Sequence, residues 1–315
     1  MAAKVRVGIV SWNTAALLRR CLAALPSALG GLDASVTVVD NASTDGSAEV
    51  AEEAGVEVVR NSTNRGYARA MNQALGRSSA DVLIALNPDT EPPAGSLATL
   101  TERLLAAPGV GLVAPRLVNP DGSLQHSAYT FPSPLQAAAV SFLPARLRTG
   151  RIGRRLWLEG AAPHDRPCDV EWVIGAVHVL RAEAVPDPRQ PYSERWFMYV
   201  EDLDLCWRLA RSGWRRRLEA DVSVPHVGGA SASQAGIEPR QRWTPLSYDW
   251  YAETHGTPAM RRWAAVNTLG TAWMAGAAAL TSVHGGPVKR AEVLQLARLV
   301  PLHARFALGR PPGPA

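Results

Sequence analysis

At 315 residues, 47% hydrophobic and 19% charged, the chain has the composition of a folded protein of one large or two medium domains, not of a disordered or fibrous one. Its three cysteines, Cys21, Cys168 and Cys206, are scattered and odd in number. That argues against a disulfide framework and a zinc or redox motif, and for free, mostly buried thiols in a reducing compartment. The net charge of +5 is carried almost entirely by arginine, with Lys4 and Lys289 the only lysines; no interleaved aromatics accompany it, so no nucleic acid is expected as a partner.

The N-terminus, MAAKVRVGIVSWN, has only a short apolar run and reads as a strand, with no signal peptide. Strands are predicted at 5–12, 36–40, 56–60, 82–86 and 111–118, and helices at 14–25, 47–54, 67–75 and 96–106, from apolar, mostly β-branched runs that alternate with helical segments. Runs this apolar are covered on both faces, which gives an α/β fold with a mostly parallel sheet between helices. NPDGS (119–123) predicts a turn that opens a hairpin, and the proline- and arginine-containing stretch 132–169 a helical or loop insertion. A strand follows at 172–182, then a helix at 201–212 ended by Gly213, then short strands at 214–219 and 222–227. From Ile237 the pattern is helical. It includes WAAVNTLGTAWMAGAAALTSV (263–283), long enough to span a bilayer but weakly hydrophobic. This segment reads as a membrane-surface or packing helix rather than a span. PPGPA (311–315) reads as a disordered tail.

In a parallel sheet, ligands bind beyond the carboxyl ends of the strands. That directs attention to Trp12-Asn13, Asp40-Asn41, Asn61 to Gly66, and Asn87 to Asp89. In VVDNASTDGS, Thr44 or Asp45 as a helix cap explains the polar residues after the strand. It does not explain Asp40 at the strand tip, where a carboxylate can accept a hydrogen bond from a base imide or a ribose hydroxyl. In NSTNRGYARAMNQAL, Gly66 suits a tight turn after Asn64 and Arg65, and the following N–H groups can face an anion. In LNPDT, Pro88 ends the strand and, read as extended, leaves Asn87 and Asp89 on one side. Alone this is a turn; as an oxygen site it suits Mg²⁺ or Mn²⁺.

In FMYVEDLDLCWRLARSGW, at about 100° per residue, Leu203, Leu205, Cys206, Leu209 and Ala210 share a face with Asp202. Glu201, Asp204, Arg208 and Arg211 fall opposite, with Asp204 and Arg208 spaced as an i,i+4 pair. An inward acid at a helix N-terminus should stay ionised and suits a general base. His226, in VPHVGGAS, becomes a metal-ligand candidate if Asp89 lies near it in space. Two basic clusters, 146–155 and 215–217, are either solvated faces or sites that attract phosphates or an anionic membrane.

Taken in order, SWN, VVDNASTDGS, NRGYARAMNQAL, LNPDT, WVIGAVHVLRA and FMYVEDLDLCWRLARSGW resemble the inverting family 2 glycosyltransferases of the GT-A fold. The resemblance is to the rhamnosyltransferase-like branch that builds cell-wall linkers and O-antigens, and it spans residues 5 to 231. It implies a GT-A domain over 1–235, with a nucleotide-sugar half to residue 120 and an acceptor half beyond it. A C-terminal helical extension over 236–310 would hold the enzyme, cytoplasmic and peripheral, at the inner face of the cell membrane.

The resemblance also implies roles. Ser11, Trp12, Asn13, Asn41, Asn64, Arg65, Gly66 and Asn87 would bind the nucleotide-sugar donor, and Asp40 its nucleobase. Asp89 would bind Mg²⁺ or Mn²⁺ on the donor diphosphate, with Asn87 in place of the first acid of the D-x-D motif and His226 a further ligand. Trp172, Gly175 and Ala176 would line the cleft, and Asp202, supported by Glu201 in the E-D motif, would deprotonate the acceptor. The implied reaction is metal-dependent transfer of L-rhamnose from dTDP-L-rhamnose to a glycan or polyprenyl-linked acceptor. Rival readings are a hexose or N-acetylhexosamine transferase, a sugar nucleotidyltransferase and a non-catalytic nucleotide-sugar-binding scaffold. The nucleotidyltransferase would show a glycine-rich basic loop after the first strand, which SWNTAALL lacks.

Overall fold

Seven consecutive buried residues, VRVGIVS, leave no face for solvent and form β1 (Val5–Ser11) near the middle of the sheet. After it α1 (Ala15–Leu29), β2 (Ala34–Asp40), α2 (Ser47–Glu53), β3 (Glu57–Arg60), α3 (Tyr67–Leu75), β4 (Val82–Leu86), α4 (Ser96–Ala106) and β5 (Val110–Val118) alternate as the apolar runs predict. The computed structural model describes residues 3–77, 79–148, 150–156, 164–228, 239–282 and 287–310. By its contacts the chain divides into two units, Met1–Tyr129 with Pro163–Gly236, and Thr130–Ala162 with Ile237–Ala315.

The first unit continues with β6 (Leu124–Gln125) and β7 (Ala128–Tyr129). The second unit takes up α5 (Pro134–Phe142), α6 (Ala145–Arg148) and α7 (Arg151–Arg155). The chain then returns with β8 (Cys168–Val170), β9 (Trp172–Val173), β10 (Val177–Arg181), α8 (Glu201–Arg211) and β11 (Arg215–Pro225). Among the described residues the main sheet has nine strands in the order β3-β2-β1-β4-β10-β5-β11-β8, with β6 beside β5. Strands β1 to β4 pair in parallel, as do β5 and β11, while β10 lies antiparallel between β4 and β5. The core forms where Val7, Ile9, Ile84 and Val179 meet Leu18, Leu22, Leu97 and Leu100.

Three elements differ from expectation. Helix α1 runs through Pro26 to Leu29: one missing N–H is outweighed by burial of Ala28 and Leu29, and Gly30, at φ 57°, closes the helix. The strand expected at 172–182 breaks at Ile174–Ala176, between β9 and β10. The two strands expected at 214–227 are one, β11, with a bulge between Glu219 and Ser223 where Glu219 and Asp221 both meet Arg103. The basic cluster 215–217 belongs to the sheet. Arg215 and Arg217 pair with Asp169 on β8, and Arg216 donates to the Glu171 and Trp214 carbonyls.

The second unit also holds α9 (Pro239–His255), α10 (Thr257–Ser282) and α11 (Pro287–Ala307). Helix α10 packs against α5, α9 and α11. Around it Tyr248, Trp263 and Phe306 form an aromatic cluster in which Tyr248 Oη meets His303 Nδ1 at 2.8 Å. Among the described residues no helix is long and apolar enough to cross a membrane. The stretch expected at 263–283 lies on α10, burying Trp263, Ala264 and Gly270 and exposing Leu269, Trp273 and Leu280. Val283, the tail at 311–315, residues 229–231 of VPHVGGAS and the boundary expected at 235 lie outside the described residues.

Candidate active site at the strand tips

The loops after β1 and β2 are tied together. Asn13, at φ 52°, accepts the Thr44 N–H at 2.8 Å and gives its own N–H to Ser43 Oγ at 3.0 Å. Ala42, at φ 67°, adds a second left-handed residue, and strained backbone of this kind collects where a site over-determines it. Asp45 accepts the first N–H groups of two helices, Ala15 at 2.8 Å and Ser47 at 3.0 Å. Burial alone would raise its pKa, but these bonds hold it below the ordinary value. Ser11 Oγ meets Thr14 Oγ1, and Trp12 is half-buried beside them. Asp40 is buried at the tip of β2. Its Oδ2 accepts the Ser43 N–H at 3.1 Å, and among the described residues its Oδ1 has no partner.

Asn41 shapes the next loop. Its Nδ2 donates to Asn64 Oδ1 at 2.8 Å, and its Oδ1 accepts the Arg65 N–H at 3.0 Å. Both ends of the amide are thus committed to the Asn64–Gly66 loop, which makes Asn41 a positioning residue. Gly66, at φ 80°, lies against the Phe197 carbonyl, where an added Cβ would sit 2.5 Å from the oxygen. Arg65 is exposed, and among the described residues no hydrogen bond holds its guanidinium.

LNPDT is a turn, not an extended tip: the Thr90 N–H and Oγ1–H both reach the Asn87 carbonyl. Same-face reasoning from strand alternation therefore fails for Asn87 and Asp89. The turn is clamped against the end of β11 by an antiparallel bridge from Thr90 to His226. This brings His226 Nε2 to 3.3 Å from Asp89 Oδ1, while Asp89 Oδ2 accepts the Gly228 N–H at 3.1 Å. On the other side of the ring, His226 Nδ1 lies 2.7 Å from Gln125 Oε1, and Gln125 Nε2 donates to Asn119 Oδ1. A carbonyl oxygen only accepts, so Nδ1 carries a proton, and on the other side of the ring Nε2 faces the carboxylate oxygen. Two electron-pair donors face each other there, an arrangement that calls for a proton or a cation between them. Among the described residues no group of three or more His, Cys, Asp or Glu side chains could hold a metal. An ion here would complete its shell with ligand oxygens and water.

The break at Ile174–Ala176 joins this turn to α8. The Asn87 N–H donates to Ala176 O at 2.9 Å, and the Gly175 N–H donates to Asp202 Oδ2 at 3.0 Å. Trp172 stacks on Tyr129 with ring centroids 4.7 Å apart and is buried. Asp202 Oδ1 accepts the Leu203 N–H at 2.7 Å. Burial raises the Asp202 pKa above the ordinary carboxylate range despite these bonds, so desolvation outweighs the helix terminus that should keep it low.

The helical wheel misplaces two other acids. Glu201 and Asp204 are buried, not solvent-facing. Glu201 folds back so that its Oε2 accepts the Val200 N–H at 3.0 Å, and burial and the Asp202 charge raise its pKa. The pair Asp204–Arg208 forms as spaced, at 2.8 Å. Sequence reasoning missed Gln125, Tyr67 and His178. Gln125 carries no local signal beyond its place after the NPDGS turn; Tyr67 is half-buried and His178 fully buried, and each bonds a carbonyl of the loop at 173–175.

The family described as Glycosyl transferase family 2 matches residues 6–158. The N-acetylglucosaminyl-diphospho-decaprenol L-rhamnosyltransferase of Mycobacterium tuberculosis is 30% identical over 230 residues, 69% of this chain and 74% of that protein. The pre-mycofactocin glycosyltransferase of the same organism is 31% identical over 226 residues, 70% of this chain and 42% of that protein. Mannosyltransferase PcManGT of Pyrobaculum calidifontis, solved with GDP-Man and Mn²⁺, superposes with a TM-score of 0.57 at 17% identity, covering 98% of this chain and 84% of its own. GalNAc-T7, solved with UDP, GalNAc and Mn²⁺, superposes at 0.52 and 14% identity over 81% and 52% of the two chains. These likenesses show the GT-A fold. Sheet order, strand-tip geometry and relatives converge, and the chain belongs to glycosyl transferase family 2.

Proposed function

We propose that this chain transfers a sugar, with inversion, from a nucleotide-sugar donor to a hydroxyl of a lipid-linked glycan. The donor is dTDP-L-rhamnose and the acceptor an N-acetylglucosamine carried on a polyprenyl diphosphate. The acceptor class and the sugar follow the name of the M. tuberculosis rhamnosyltransferase above; the dTDP carrier follows the branch that the motifs resemble. A lipid-linked acceptor puts the reaction at a membrane surface, here the inner face of the cell membrane.

The observation that carries the reading is the loop at Gly175 and Ala176, whose neighbouring residues bond the Asn87 turn on one side and Asp202 on the other. A candidate cation site and a candidate base are thereby joined by one short segment. Mg²⁺ or Mn²⁺ fits Asp89 and His226, with Gln125 fixing the ring tautomer, and when bound it supplies positive charge to the departing diphosphate. Asp40 takes the base imide or a ribose hydroxyl on its unpartnered Oδ1. Asp202, whose raised pKa makes it a stronger base than an ordinary carboxylate, takes the acceptor proton as the hydroxyl attacks. The attack is in line, so no side-chain nucleophile is required.

The test is a panel of dTDP-rhamnose, UDP-glucose, UDP-N-acetylglucosamine and GDP-mannose, with a polyprenyl-diphosphate N-acetylglucosamine analogue and Mn²⁺ or Mg²⁺. Nucleoside diphosphate release and the anomeric configuration of the product are measured. Release from dTDP-rhamnose with inversion is expected, and EDTA should stop it. A hexose or N-acetylhexosamine donor turned over instead would replace the rhamnose assignment. Asp202→Asn should lose about 10²–10⁴-fold in kcat while nucleotide affinity holds; retained turnover removes Asp202 as the base.

A further inference from the structure

His178 plays no part in the chemistry above, yet it sits fully buried in the middle of the sheet on β10. Its neighbours Val177 and Val179 pack into the hydrophobic core, so by strand alternation its ring points to the opposite face. There Nε2 lies 3.3 Å from Val173 O and Nδ1 lies 3.0 Å from Tyr192 Oη. A carbonyl accepts only, so the ring proton is on Nε2 and Nδ1 accepts the Tyr192 hydroxyl proton. Burial pushes the His178 pKa down to about 4, which keeps this one neutral tautomer throughout the neutral range. Tyr192 is fastened in turn. Its N–H donates to Asn72 Oδ1 at 3.1 Å, and its carbonyl accepts from Asn72 Nδ2 at 2.8 Å.

The carbonyl that His178 holds begins the segment that meets Asp202. The Ile174 N–H donates to Ser127 O at 3.0 Å, the Gly175 N–H to Asp202 Oδ2, and Tyr67 Oη to Gly175 O at 3.3 Å. Each residue of the loop has its own fastening, and His178 supplies one at the upstream end. We propose that His178 is a positioning residue: through Val173 it fixes the Gly175 N–H that holds the Asp202 carboxylate, with Tyr192 and Asn72 fixing His178 behind it.

This rests on the reading of Asp202 as the base. The ionisable groups that interact with Asp202 are Glu201 and Cys206 on α8, Tyr67 on α3 and Tyr192 in the chain before α8; Arg208 and Arg216 lie beyond, near Cys206. Of these only Tyr192 loses a partner, its hydroxyl's acceptor, when His178 is changed. Loss of the Gly175 N–H to the carboxylate removes a bond that favours the ionised form, so the Asp202 pKa must rise.

The experiment uses the full chain with Mn²⁺ and saturating donor. His178→Phe is expected to lower kcat by about tenfold to a hundredfold and to move the acid limb of kcat to higher pH, with the donor KM nearly unchanged. His178→Gln, which can still donate to Val173 O, should recover part of both. Tyr192→Phe removes only a hydroxyl and should move both readouts in the same direction, and its effect should not multiply with that of His178→Phe. If His178→Phe fails to fold, Tyr192→Phe decides by the same measurements. A folded His178→Phe with wild-type kcat and acid limb overturns the proposal, as does a change confined to donor KM. Hydrogen exchange at the Gly175 amide separates this fastening from the identity of the base. Protection there should fall in His178→Phe even if Asp202→Asn retains turnover, and unchanged protection counts against His178.

Discussion

Asp40 shows most directly what the site lacks in isolation. It is 4% exposed, with one carboxylate oxygen on the Ser43 N–H and the other without a partner among the described residues. A buried acceptor left unpaired costs about 1–3 kcal/mol, so a ligand hydrogen placed there is favoured. Asp40→Ala should weaken nucleoside diphosphate binding by about 1.5–3 kcal/mol, roughly tenfold to a hundredfold in Kd by calorimetry. It should leave pyrophosphate binding unchanged; an equal loss for pyrophosphate would move Asp40 away from the nucleoside. The strand-end rule makes Asp40 legible in the sequence, because a carboxylate at a buried tip has no local task. The meeting of Asp89 with His226 is legible only as a condition, since nothing in either pentapeptide says that the end of β11 clamps the β4 turn. Gln125 and His178 are not legible at all: Gln125 acts through a ring 101 positions away and His178 through a carbonyl across a break that the strand pattern hides, and neither departs from its local pattern.

At the scale of elements, periodicity locates β4, α3 and α4 to the residue and fails where tertiary contacts override it. The wheel of α8 treats the helix as if water lay on its far side, whereas Glu201 and Asp204 on that side are buried. The run 172–182 looks like one strand because its interruption is only three residues long, yet the interruption is what reaches Asp202. The start of α3 is similarly set from outside. The Tyr67 N–H donates to Phe197 O at 2.7 Å, and Gly66, at φ 80°, permits the approach. Gly66→Ala combines a strained backbone with a Cβ 2.5 Å from that oxygen. It should cost about 1–3 kcal/mol in a denaturant titration and separate the Asn64–Gly66 loop from the residues before α8. Unchanged stability would mean that the Phe197 segment moves freely.

Across the whole molecule, charge and apolar exposure divide unevenly. Residues 130–162 and 237–315 hold fourteen arginines and lysines against five acids, whereas the remainder holds nineteen against twenty-three. Among the described residues, ten of the fourteen exposed large hydrophobics also fall in the basic unit. On α10, Leu269, Trp273 and Leu280 are exposed and, at about 100° per residue, lie within about 40° of one another around the helix. A cationic surface with a tryptophan and leucines on one helix face fits the interface of an anionic bilayer, with no span required. The full chain is therefore expected to sediment with vesicles containing phosphatidylglycerol and weakly with phosphatidylcholine alone. Salt should release it in part, because the Debye length shrinks from about 10 Å at 0.1 M to about 3 Å at 1 M, while the apolar contribution persists. Replacing Leu269, Trp273 and Leu280 together by glutamate should lower partitioning by at least about tenfold, since each buried side chain contributes about 1.5–3 kcal/mol. Transfer to a short-chain, water-soluble acceptor should be unaffected. Partitioning that survives the triple substitution would assign membrane contact to another face, and a chain that ignores phosphatidylglycerol vesicles would leave the lipid-linked acceptor to reach the site by some other route.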